Sequence, residues 1–142
     1  MKVRLLLLAL VSGSLACAAT GLDSWAPTLE HTHWTLATLG ATRTPIAKTQ
    51  TEPFLVFGAE PGRVAGSGGC NRLSGSYERK SEQIVFGALA ATRMACEHGM
   101  DTEDALGTAL GVAKSWRIVG DQLELYDAGG GLLATFEANR AG

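Results

Sequence analysis

Three groups of residues have the types that chemistry requires: Cys70 and Cys96 with His98, the carboxylates Asp101, Glu103 and Asp104, and the run Gly66-Ser67-Gly68-Gly69. Cys70, Cys96 and His98 are soft donors of the kind that holds zinc, but without a C-x-x-C pair or a second nearby histidine the spacing is not a zinc pattern. A thiolate beside His98, or the hydroxyl of Ser67 or Ser74, would supply a nucleophile. No G-x-S-x-G elbow surrounds either serine, however, and a cysteine held in a disulfide cannot attack. The glycine run would cradle a phosphate only if a Lys-Ser/Thr pair led on into a helix, and Cys70-Asn71-Arg72 follows instead. Glycine there reads as freedom for a bulged or left-handed backbone where strands crowd. His31 and His33 would point the same way on a strand and could join a metal site with a further donor; beside the start of the domain they read as two exposed histidines. Paired carboxylates can serve hydrolysis, but 101–104 falls where a helix should begin, which already accounts for the acids. These residues therefore predict no enzyme activity, no metal and no cofactor.

The elements that must position them are short. Trp34-Thr35-Leu36 reads as the first strand. The apolar run Pro53-Phe54-Leu55-Val56-Phe57 predicts a strand buried on both faces or set in a barrel, bounded by a turn at Glu60-Pro61-Gly62. Arg63-Val64-Ala65-Gly66 enters the glycine run, and Ser74–Glu78 and Gln83–Phe86 follow at hairpin spacing around Arg79-Lys80-Ser81. Asp101-Thr102-Glu103-Asp104 offers a helix N-cap with acids at the positive end of the dipole. Ala105, Leu106, Ala109, Leu110 and Ala113 then recur on one face, and Gly107 and Gly111 would let that helix lie close against a sheet. Ser115–Val119 and Gln122–Tyr126 flank the hairpin signal Gly120-Asp121, and Asp127–Gly131 turns the chain into Leu132–Phe136. The order predicts an α+β domain: mostly antiparallel sheet or a partial barrel, with one main helix near residues 102–114 and Trp34 and Trp116 as core aromatics.

With 142 residues and 46% hydrophobic content the chain describes one globular domain. A formal charge of −2, with the twelve Lys and Arg scattered, excludes a general nucleic-acid binder, which needs clustered cations along a phosphate backbone.

Two segments, Gly68-Gly69-Cys70-Asn71-Arg72-Leu73-Ser74-Gly75-Ser76-Tyr77 and Ala91-Thr92-Arg93-Met94-Ala95-Cys96, together resemble the motifs of the META domain, also called the HslJ-like domain. That family is known chiefly from bacterial envelope proteins linked to heat shock and novobiocin resistance. The resemblance covers residues 34–138 and implies the same fold class. Its motif positions here are Gly69, Cys70, Asn71, Gly75, Tyr77, Thr92, Met94 and Cys96. Asn71 reads as bonding its local turn, and Met94 as packing beside a solvated Arg93. The implied role is a non-catalytic cell-envelope stress or integrity module. The alternative is a periplasmic binding module that takes a small apolar ligand or an envelope protein partner, in the barrel mouth or on an edge strand.

The N-terminus fits that setting. Lys2 and Arg4 precede the apolar run Leu5–Val11 and a small-residue exit, so residues 1–17 read as an export signal, followed by a tether over 18–33. The junction Ser14-Leu15-Ala16-Cys17 resembles a bacterial lipobox, in which Cys17 is acylated and anchors the mature chain to a membrane. Ala18, instead of an acid, then favours the outer membrane. The competing reading is cleavage within Ala16-Cys17-Ala18, which releases a soluble periplasmic protein. If Cys17 is lipidated, Cys70 and Cys96 have one possible intramolecular pairing, which an oxidising compartment permits. Two buried free thiols are the alternative.

Overall fold

The structure, a computed structural model, describes residues 25–58 and 62–139. The export signal, Cys17 and the Glu60-Pro61 part of the expected turn lie outside the described residues. In chain order the elements are β1 (His33–Leu39), β2 (Thr44–Pro45), β3 (Phe54–Phe57), β4 (Arg63–Ser67), β5 (Arg72–Lys80), β6 (Gln83–Phe86) and β7 (Ala90–Ala91). Helix α1 (Met100–Val112) follows, then β8 (Ser115–Val119), β9 (Gln122–Tyr126) and β10 (Leu132–Asn139).

All strand pairs are antiparallel, and each strand of the main path lies beside its predecessor until β10 returns to pair with β1 over Trp34↔Ala138 and Leu36↔Phe136. With β2 and β7 as short side pairs, the other eight strands of the ten-stranded sheet close into a ring. Period-two alternation explains which side chains fill it. Trp34 pairs with Leu55, Leu55 with Gly66 and Gly66 with Leu73, so one inward row crosses four strands. Phe57, Ile84, Leu123, Leu125 and Phe136 are likewise fully buried, and the interior is a packed core. The narrowest junction lies between β6 and β8, whose register is the single pair Gln83↔Ser115, flanked by backbone bonds Ile84 N–H to Lys114 (3.1 Å) and Trp116 N–H to Glu82 (2.8 Å).

The α+β assignment is corrected. Among the described residues ten strands stand against one helix of 13 residues, and the strands form an antiparallel barrel. The helix does not form a second layer because its apolar stripe is narrow: Leu106, Leu110 and the following Ala113 enter the same core as the strands, while Ala105 is exposed. Its start also differs from expectation. Gly99, at φ 100°, is the N-cap, its carbonyl takes Glu103 N–H at 2.9 Å, and among the described residues no side chain caps the helix. The reason is crowding, since a Cβ at Gly99 would stand 2.4 Å from the Gly69 carbonyl oxygen. Gly107 and Gly111 provide no close approach either, because a Cβ at either meets nothing within 4 Å.

Three smaller readings change as well. The apolar run of β3 alternates, with Leu55 and Phe57 inward and Phe54 and Val56 outward. His31 sits in a turn at φ 62° before β1 begins, so it does not share a strand face with His33. Leu29 is buried and its carbonyl accepts the Trp34 indole N–H at 3.0 Å, so the end of the expected tether belongs to the packed body.

Candidate functional site

The two motif segments meet at one place on the barrel wall. Cys70 and Cys96 form a disulfide with Cα atoms 5.9 Å apart, closing a sequence separation of 26. Next to it Asn71, almost fully buried, bonds residues far away in sequence, where the local reading had it serving its own turn. Its Oδ1 accepts the Met94 N–H at 2.7 Å and the Thr92 hydroxyl at 3.0 Å. Its Nδ2 donates to the Met94 carbonyl at 3.3 Å and to Glu103 Oε1 at 2.8 Å, while its backbone N–H donates to Glu103 Oε2 at 2.6 Å. One amide therefore ties the β4–β5 connection to the 92–96 segment and to the first turn of α1.

Glu103 is the member of this junction that sequence reasoning missed. It reads as a dipole-compensating acid, whereas its carboxylate receives two N–H groups of Asn71. Room for it comes from Gly68, where a Cβ would lie 2.4 Å from Glu103 Cγ. Gly69 (φ 111°) offers its carbonyl to Thr51 N–H at 3.0 Å. Gly75 is needed because a Cβ there would fall 2.9 Å from the Ala88 carbonyl oxygen. Tyr77 is buried against Phe57, and its hydroxyl donates to the Gly58 carbonyl at 2.8 Å, away from the junction. Met94 corrects its expected packing role: the residue is 56% exposed, and its backbone N–H and carbonyl are held by Asn71.

Beside the junction the outer face of β3–β4–β5 sinks into a trough of about 970 Å³. Register sets its floor in two rows, Phe54–Ser67–Arg72 and Val56–Ala65–Ser74–Ala90. The middle of the floor is low because it is made of the small side chains of Ala65, Ser67 and Ser74, between Phe54 on one flank and the Thr92–Met94 segment on the other. Phe54 is steadied by His33, whose ring stacks on it at 4.2 Å. The Ser67 hydroxyl is already engaged by Thr51 (2.8 Å) and by Gly69 N–H (3.2 Å).

Two charged clusters lie elsewhere. The Glu124 carboxylate, buried on β9, accepts hydrogen bonds from the Tyr126 hydroxyl, from Arg43 at 2.7 Å and from Arg117 at 3.1 Å. The Tyr126 bond, followed by the two guanidinium bonds, outweighs burial and holds the Glu124 pKa down to about 2. On the other cluster, burial pushes the Glu30 carboxyl up, but the bond and charge of Arg79 more than compensate and leave it below its ordinary value. Burial, then the Glu30 charge, pushes Tyr77 up to about 12. Each group is fixed in one protonation state near neutral pH. Trp116 is half-buried, with its indole N–H on the Ser81 carbonyl at 3.1 Å and Arg79 6.0 Å over its ring.

Similarity to known proteins follows the same outline. An NMR structure of a protein from Burkholderia xenovorans matches with TM-score 0.63 at 28% identity, covering 81% of this chain and 92% of that one. A second NMR structure, 23% identical with TM-score 0.59 over 79% of this chain and 95% of its own, shares the fold. No curated protein matches the sequence. The META domain family model matches residues 27–140, the span of the whole barrel and of both motif segments, and the chain therefore belongs to the META domain family.

Proposed function

We propose that this protein is a non-catalytic module of the bacterial cell envelope, anchored through acylated Cys17 in the outer membrane and facing the periplasm, where it serves stress tolerance or envelope integrity as HslJ-type proteins do. One observation carries the reading: the motif groups with chemical potential are bound to one another. Cys70 and Cys96 share a disulfide, which leaves neither as a thiolate, and the Asn71 amide is held by Thr92, Met94 and Glu103. A disulfide between the motifs also supports an oxidising, extracytoplasmic location. Survival under heat and novobiocin of a strain lacking the gene, complemented with wild type or Cys17→Ser, tests the role. Wild type should restore survival and fractionate with membranes, and Cys17→Ser should do neither. Unlipidated wild-type protein beginning at Ala19 by mass spectrometry would remove the anchor from this proposal, and failure of wild type to restore survival would remove the stress role.

The trough favours a second reading, a binding module for a small apolar ligand. Support comes from a concave face whose open surface is largely apolar, with polar groups set into it, the usual character of such sites. Its place differs from the expected barrel mouth or edge strand, since Trp34, Phe57 and Phe136 fill the barrel interior.

A further inference from the structure

We propose that the outer trough binds a single-chain alkyl carboxylate, the free form of a fatty acid, with its chain laid over Ala65 and Ser74 beside Phe54 and its carboxylate on the guanidinium of Arg72. This deepens the binding-module reading and rests on it.

The argument begins with the charges at the trough. Arg72 stands at the β5 end of the row Phe54–Ser67–Arg72, about 10 Å from Phe54 at two strand spacings. Among the described residues its guanidinium has no hydrogen-bond or ion-pair partner, whereas the other charged side chain lining the trough, Glu52, is engaged by His33 at 3.2 Å and Thr35 at 3.3 Å. Thus the positive end is open, while at the negative end one oxygen of Glu52 is already bonded. A planar guanidinium matches a carboxylate with two parallel N–H···O bonds.

The body of the ligand follows from what the floor lacks. The floor is the face of a sheet, and the backbone N–H and C=O groups of β4 are committed to the ladders with β3 and β5. A peptide laid on this face would therefore leave its own amides without partners, which is costly away from water. An alkyl chain requires none. It gains from covering Phe54, Val56 and Ala65, and the exposed, unbranched Met94 on the flank can adapt to it.

Isothermal titration of the full chain, purified with its disulfide intact and stripped of lipid by organic extraction, tests this. The probes are dodecanoate below its micelle concentration, dodecan-1-ol and dodecyl phosphate. Dodecanoate should bind more tightly than dodecan-1-ol, and Arg72→Gln should weaken dodecanoate roughly tenfold or more while leaving dodecan-1-ol unchanged. Ala65→Leu, an exposed site whose larger side chain fills the trough, should weaken both; circular dichroism and a thiol count establish that each variant is folded and oxidised. Equal affinity for dodecanoate and dodecan-1-ol, or indifference to Arg72→Gln, would overturn the carboxylate assignment and leave an apolar binding face. Dodecyl phosphate binding tenfold tighter than dodecanoate would overturn it in favour of a phosphate-headed lipid. Absence of binding by every probe, or binding that ignores Ala65→Leu, would sink the binding-module reading itself.

Discussion

Asn71 and Glu103 form a pair whose halves the sequence reports unequally. The asparagine sits in a recognisable motif next to a rare cysteine; the glutamate, 32 positions later, has an ordinary explanation as an acid in a helix's first turn, and nothing local reveals its partner. The difference is measurable. Glu103→Gln replaces an acceptor of two N–H bonds with a group that must turn one N–H₂ toward donors, and should cost about 1–3 kcal/mol in chemical denaturation. Asp104→Asn, exposed on the same turn, should change stability by less than about 0.5 kcal/mol. Equal effects would mean that helix-dipole compensation alone explains both acids. Asn71→Ala removes four side-chain hydrogen bonds to Thr92, Met94 and Glu103 and should cost more than either, about 2–4 kcal/mol.

Helix α1 shows how far periodicity reads and where it stops. The recurrence of Leu106 and Leu110 is visible in the sequence, and both are buried; Leu106→Ala or Leu110→Ala should lower stability by about 2–5 kcal/mol. The glycine that follows each of them, Gly107 and Gly111, invites the inference of close packing, but a Cβ at either would look into open space. Gly107→Ala and Gly111→Ala should therefore each stabilise the protein by about 1 kcal/mol, seen as a raised melting temperature. A loss of stability in either would show a neighbour that the geometry does not place there. The strands were legible for a similar reason, because alternation and the Gly120-Asp121 turn are local signals. Ring closure was not, since Trp34 and its neighbour Ala138 lie at opposite ends of the chain and carry no mutual mark. The trough leaves no local mark in the sequence because its floor joins outward residues of four strands, and Phe54 and Val56 read as parts of a doubly buried run.

At the scale of the whole molecule, Glu124 links stability to acidity. Its folded pKa of about 2 lies below the ordinary 4.5, so its contribution is complete above about pH 4.5 and is lost as pH falls through 2. Unfolding free energy measured across this window should decline on acidification, by on the order of 2 kcal/mol from this group, and the decline should be shallower in Glu124→Gln. An unchanged acid limb in that variant would place the pH dependence elsewhere. The pairing of β10 with β1 has a consequence for how the molecule comes into being. A chain emerging from N- to C-terminus can pair β1 with β3 early, yet one edge of β1 stays open until the last strand is made, because no earlier segment supplies its partner. Deleting Leu132–Asn139 would leave two open edges, on β1 and β9, facing each other across a missing stave. Such a truncated chain should self-associate instead of settling into a smaller barrel, and sedimentation of the shortened protein would show it. Closure of the ring thus waits for β10, and the eight residues Leu132–Asn139 act as the clasp.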